Sequence, residues 1–214
     1  MYILILLIII IFSIILYSVN YNYNIKIRKN INVKDRLIIL KDLYNIILDS
    51  IKDTDIKLFL TYGTLLGKIR ENKIICYDYD LDFGINEKDF FKIKDLLLQK
   101  LNNSDKYKIN NKFNKSLELI HKNTRISADI DIFLNNDNEC WRAVPCIYSK
   151  YFLKECRCKL PLDWIYPLKK ISFLDRNINI PNKYTNLLKC YYGKNYNIPD
   201  HICSNNCSNC IKKQ

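Results

Sequence analysis

The chain has 214 residues, 49% hydrophobic and 26% charged. That is enough apolar material for one well-buried domain and too much for a disordered chain. Lys and Arg outnumber Asp and Glu by 34 to 22, giving a net charge of +12, all of it after residue 19. Such a balance favours anionic partners such as headgroups, nucleotides or phosphorylated glycans. However, no compact basic run with interleaved aromatics appears, so no specific nucleic-acid partner is expected. His121 and His201 are the only histidines, which argues against a His-based triad or a three-His zinc enzyme.

Tyr2 to Tyr17 (YILILLIIIIFSIILY) carries no charge. As a helix it would be about 24 Å long, and extended to Val19 it nears the usual minimum for a membrane span. It lacks the basic n-region and small-residue cleavage site of a secretory signal. The expectation is therefore an uncleaved, single-pass transmembrane anchor over residues 1–19. Residues 20–32 read as a polar, basic stalk, 33–200 as the folded domain and 201–214 as a Cys-containing tail. Lys26, Arg28, Lys29 and Lys34 follow the anchor and nothing basic precedes it, which favours a cytosolic domain.

From Val33, Leu37, Ile38, Leu40, Leu43, Ile46, Ile47 and Ile51 recur at helical spacing, with Asn32 as candidate cap. Lys57 to Tyr62 reads as a buried strand that ends at Gly63, and Thr64 to Arg70 as a short helix. Tyr79 to Ile85 is a second strand and Asp89 to Leu101 a helix. Strands are expected around Tyr107 to Ile109, Leu117 to His121 and Ile126 to Leu134. The rest reads as loops, apart from a short helix near Tyr184 to Tyr191. Mixed strands and helices without an internal repeat predict an α/β or α+β fold around a small sheet.

The chemistry concentrates in Tyr77 to Ile85, YDYDLDFGI. Asp78, Asp80 and Asp82 alternate, so on a strand they share one face at about 7 Å spacing. Such carboxylates repel one another unless a cation sits among them, and oxygen-only ligands suit Mg²⁺ or Mn²⁺. Ile126 to Leu134 (ISADIDIFL) puts Asp129 and Asp131 on one face of another strand, from which Asp131 would complete the site. A solvated strand face explains one such pattern; two acidic strands make it the lesser reading. Before them stands Gly63-Thr64-Leu65-Leu66-Gly67, with Arg70 just beyond. A helix opening directly after a strand offers free N–H groups to an anion, Thr64 adds a hydroxyl, and Arg70 can fork to a phosphate. Gly67 lets the helix lie close to a neighbouring backbone or ligand.

These motifs, in this order, resemble the LicD/fukutin-type phosphotransferase family. The resemblance rests on Gly63 to Gly67, Arg70, Asp78-Tyr79-Asp80-Leu81-Asp82 with Gly84, and Ile130-Asp131-Ile132-Phe133. It continues through Tyr166-Pro167-Leu168-Lys169-Lys170, Pro181 and Tyr184 to Gly193. It implies a nucleotidyltransferase-like fold and transfer of a substituted phosphate (a phospho-alcohol such as phosphocholine or ribitol phosphate, or a sugar phosphate) from a CDP-linked donor to a glycan hydroxyl. It further implies metal on Asp80, Asp82 and Asp131 with Asp78 beside them, and donor contacts from Gly63, Thr64, Gly67, Arg70 and Lys169. Bacterial members often carry an acidic residue where this chain has Tyr79. Eukaryotic members face the secretory lumen, which implies an ER, Golgi or other secretory-pathway membrane and opposes the charge-based orientation. The alternative reading is a catalytically inactive glycan- or nucleotide-binding membrane protein of the same fold.

Nine cysteines remain. Cys140, Cys146, Cys156 and Cys158 form a candidate structural Zn²⁺ loop or a disulfide set, although their spacing is not that of a standard finger. Unpaired thiols are the third possibility. Cys203, Cys207 and Cys210 lie in the tail. Nothing in the sequence sets an oligomeric state.

Overall fold

The computed structural model describes residues 2–143 and 159–199. Helix α1 (Tyr2–Lys29) is continuous through the segment expected to be a stalk. Among the described residues, no helix is long and apolar enough to cross a membrane. The apolar run ends at Tyr17, after which the helix carries Asn20, Asn22, Asn24, Lys26, Arg28 and Lys29. Sixteen apolar residues fall short of the roughly 30 Å of a hydrocarbon core. The expected single-pass transmembrane helix is therefore corrected.

Helix α2 (Val33–Ile51) starts where expected: the Asn32 side chain accepts from Asp35 N. It buries Leu40, Leu43, Tyr44, Ile47 and Leu48. Strand β1 (Leu58–Leu60) is fully buried and shorter than its sequence suggested. Helix α3 (Tyr62–Glu71) follows at once, and strand β2 (Asp80–Asn86) leads into helix α4 (Glu87–Leu101). Strands β3 (Tyr107–Lys112), β4 (Ser116–His121) and β5 (Ser127–Asn135) form an antiparallel meander.

The segment read as loops contains further structure. Strands β6 (Glu139–Arg142) and β7 (Leu160–Pro161) pair with each other, and a short helix α5 (Leu162–Ile165) follows. Strands β8 (Lys169–Phe173) and β9 (Arg176–Ile180) form a hairpin before helix α6 (Tyr184–Tyr192). The nine strands of the described residues make one sheet in the order β3-β4-β5-β2-β1-β9-β8, with β6 and β7 branching from β5.

Two features of this sheet position the site. First, β2 and β5 are parallel neighbours, with Asp82 opposite Asp129 and Gly84 opposite Asp131. Second, the faces differ. Helices α2 and α4 pack on the face carrying Phe83. There Tyr44 stacks on Phe83 at 6.2 Å, meets Phe173 edge-on at 5.7 Å and donates its hydroxyl to Phe173 O at 3.1 Å. That buried phenol satisfies its polar end while its ring joins α2 to β2 and β8. The opposite face carries the carboxylates, with Asp80, Asp82 and Asp129 half-buried and Asp131 buried. Gly84 closes that polar stretch: a Cβ there would stand 2.3 Å from the Phe59 ring, so glycine lets Phe59 and Phe133 pack on the same face beside the site.

A candidate metal and phosphate site

Asp80, Asp82 and Asp129 each offer an oxygen within 4.8 Å of the others. Opposite oxygens in an octahedral shell of about 2.1 Å bonds lie roughly 4.2 Å apart, so the three fit one ion with slight closure. Alternation on β2 brings Asp80 and Asp82 to one face, and the parallel register delivers Asp129 beside Asp82. Burial, then the charges of Asp80 and Asp129, push the Asp82 carboxyl well above its usual range. Burial likewise raises Asp129 to about 7, against the pull of Lys112, whose Nζ lies 3.3 Å from Asp129 Oδ1 and 3.3 Å from Glu118 Oε2. Asp78 rises to about 7 through burial and then Asp80. It stands in the turn before β2 rather than on the strand, because β2 begins at Asp80.

The glycine-led helix docks directly on this strand. Where β1 has ended, Asp82 N donates to Thr64 Oγ1 at 2.7 Å, and Gly63 N donates to Asp82 Oδ2 at 3.0 Å. Thr64 thus continues the sheet ladder through its side chain, and the first turn of α3 is turned toward the carboxylates. A Cβ on Gly63 would lie 3.1 Å from Asp78 Oδ2. A cavity of about 340 Å³ opens beside it, lined by Gly63, Arg70, Tyr77, Asp78, Tyr192 and Asn195 among others.

The family model described as "LicD/FKTN/FKRP, nucleotidyltransferase domain" matches residues 55–183, which hold β1 through β9 and every residue of this cluster. The chain belongs to the LicD family. A curated relative, "Ribitol-5-phosphate transferase FKTN" of Mus musculus, is 27% identical over 160 residues, covering 74% of this chain and 33% of the relative. The chain thus spans about a third of that relative's length.

Within this LicD domain the remaining candidates separate. Asp131 shares the carboxylate face, one step beyond Asp129, but is 2% exposed and lies 2.5 Å, through Oδ2, from Arg142 Nε. Asp129 stands in the triad instead. Arg70 gives Nε and Nη2 to Glu71 Oε1 at 2.9 and 2.6 Å and borders the cavity from a nearly buried position. Lys169 sits on β8, three strands from β2, roughly 14 Å at ordinary strand spacing. Its neighbour Lys170 pairs with Asn179, which pairs through Phe59 to Gly84; by register Lys170, not Lys169, shares the carboxylate face. Of the proposed Zn²⁺ or disulfide set, Cys140 is a buried thiol on β6, raised to about 12 by burial. Cys146, Cys156 and Cys158 lie outside the described residues, as do the tail cysteines.

Gly67 has a packing role. Its missing Cβ would meet Lys73 O at 2.6 Å, a backbone atom of the loop that leads to Asp78. Gly67→Ala is expected to destabilise by about 1–3 kcal/mol, the usual scale of overpacking. A chemical-denaturation midpoint unchanged from the parent would show that this loop yields freely.

The sequence reading missed three groups. Arg142 lay within the stretch read as loops. Lys112 reaches Asp129 from a strand expected to end at Ile109. Tyr62 opens α3 with φ 41°, stacks on Tyr191 at 4.6 Å and carries Arg142 5.4 Å from its ring centre. The Tyr-Gly junction was visible in the sequence, but its aromatic partner 129 residues away was not.

Proposed function

We propose that this LicD-family chain is a phosphotransferase that moves a substituted phosphate from a CDP-type donor to a glycan hydroxyl. The observation that carries this reading is the convergence of Asp80, Asp82 and Asp129 beside the first turn of α3. The relative named for ribitol-5-phosphate transfer supports the same class.

The donor set is all carboxylate oxygen, and Asp82 is raised by its neighbours' charge, so the residues fit a hard divalent cation, Mg²⁺ or Mn²⁺. Held by these three groups, such an ion supplies charge neutralisation at phosphate oxygens. The chain's own residues do the rest. The α3 first turn faces the anion, and the cavity beside Gly63 has room for a pyrimidine nucleotide. The acceptor hydroxyl oxygen forms a bond to the outer phosphorus, the bond from that phosphorus to CMP breaks, and CMP leaves with the electron pair. Asp78 lines the cavity and is the group placed to take the hydroxyl proton.

The test is a panel of CDP-linked donors, such as CDP-choline and CDP-ribitol, with CMP release read by mass spectrometry in the presence of Mn²⁺. CMP appearing only with metal and acceptor supports the reading. Donor binding without turnover across the panel would favour an inactive binder of the same fold.

A further inference from the structure

Resting on this phosphotransfer reading, we propose that Arg142, oriented by Asp131 and Tyr62, grips the anionic phosphate of the substrate at the edge of the carboxylate triad, and that Asp131 serves this arginine rather than the metal.

The geometry of the pair carries the argument. Strand β6 runs antiparallel to β5 and brings Arg142 opposite Phe133, two residues beyond Asp131. Asp131 Oδ2 forms an ion pair with Arg142 Nε at 2.5 Å, while the buried Asp131 Oδ1 and Arg142 Nε both lack a well-aligned hydrogen bond among the described residues. A guanidinium serving only to neutralise a buried carboxylate would do so fork to fork, engaging both oxygens. Here a single contact fixes one end, and no described hydrogen bond uses the two Nη groups with their four N–H donors.

The other constraint on Arg142 is aromatic. Its guanidinium carbon lies 5.4 Å from the centre of the Tyr62 ring, which is itself stacked on Tyr191. A cation held at one end by a buried carboxylate and over a ring at the other has little rotamer freedom left to lose on binding. Even so, the side chain is 32% exposed, so its outer end remains reachable. Burial opposes its charge, and Asp131, Tyr62 and Asp129 outweigh that burial to raise its pKa. Arg142 therefore stays cationic beside Asp129, the triad member nearest it in the sheet.

Charge accounting points the same way. Arg70 is engaged by Glu71, and Lys112 is shared between Asp129 and Glu118. Among the described residues bordering the triad, Arg142 is the arginine whose side chain is partly exposed, 32% against 6% for Arg70, with Nη donors left for a diphosphate.

The experiment uses the full chain, with Mn²⁺ and inorganic pyrophosphate as probes in calorimetric titrations. Arg142→Ala should weaken binding of pyrophosphate in the presence of Mn²⁺ by about 10- to 100-fold, the scale of a lost charge-assisted hydrogen bond. The same variant should bind Mn²⁺ alone as well as the parent or tighter, because a cation beside the triad is gone. Arg142→Lys should recover only part of the pyrophosphate affinity, since an ammonium cannot fork, and it carries the test if the alanine variant fails to fold. Asp131→Asn should weaken pyrophosphate binding and keep Mn²⁺ binding, reduced only by the loss of a nearby non-ligating charge. Unchanged pyrophosphate affinity in the Arg142 variants, with only a lower melting temperature, makes Arg142 a counter-ion and overturns the proposal. Loss of Mn²⁺ binding in Asp131→Asn makes Asp131 a metal ligand and overturns it equally. A parent chain that binds no pyrophosphate with Mn²⁺ removes the phosphotransfer reading itself, and this inference with it.

Discussion

Asp82→Asn is expected to lower CMP release by on the order of 10³-fold or more, the scale of removing a principal electrostatic contributor, while leaving the fold intact. Asp82 occupies the centre of the site. Its carboxylate lies between Asp80 on its own strand and Asp129 across the parallel pair, and it also accepts from Gly63 N. The contact that locks α3 onto the sheet runs through the Asp82 backbone N–H to Thr64 and does not need the carboxylate. Asparagine keeps the shape and an oxygen for Gly63 but removes one of three charges, and its amide half cannot ligate a cation. Circular dichroism and melting should therefore stay close to the parent. Melting should even rise slightly in metal-free protein, because like charges have been thinned. Turnover equal to the parent in a purified, folded variant would remove Asp82 from the mechanism.

The alternation of Asp80 and Asp82, the acidic strand at Asp129 and Asp131, and the glycine-led helix could all be read locally. Periodicity of two and a strand-Gly-helix junction are properties of a few adjacent residues. The identity of the third carboxylate could not be read in this way. Asp129 and Asp131 lie on the same strand face, and only the register of β2 against β5 puts Asp129 opposite Asp82 and Asp131 opposite Gly84. A shift of two residues would preserve every local pattern and exchange their roles. Asp78 continued the alternating pattern on paper, but β2 begins two residues later, so it reaches the site from a turn.

The missed hairpin of β8 and β9 has a comparable cause. Its two central residues, Leu174 and Asp175, have φ of 49° and 64°, the left-handed region that Asn-Gly normally announces. Leucine there gives no such signal, and the flanking Arg176, Asn177 and Asn179 disguise the strand. The N-terminal segment misled through the opposite fault. Its apolar run was plain, but its length fell short, and the helix continued into polar residues rather than ending at a boundary.

The second large effect is a stability profile that metal should invert. Asp78 and Asp129 are each pushed up to about 7 in the folded chain, against an ordinary carboxylate value of 3.8, with burial the leading cause in both. The folded state therefore holds protons that the unfolded state has released between about pH 4 and pH 7. Stability from this source is fully present below the unfolded pKa and is lost as pH rises through the folded one. A shift of about three units corresponds to up to about 4 kcal/mol per group, so metal-free protein should melt at clearly lower temperature at pH 8 than at pH 5. Mn²⁺ acts in the reverse direction. It binds the ionised carboxylates and stabilises in proportion to its affinity for the folded state, so its upward shift of the melting temperature should be large at pH 8 and small at pH 5. Asp129→Asn should flatten the metal-free profile and remove most of the Mn²⁺ shift, because it deletes both a titrating group and a triad member. Differential scanning fluorimetry across pH 4 to 8, with and without Mn²⁺, reads all three. A flat metal-free profile would mean that solvent or Lys112 already relieves the carboxylates. An Mn²⁺ shift equal at pH 5 and pH 8 would place the ion somewhere other than this triad, since protonated Asp129 could not hold it.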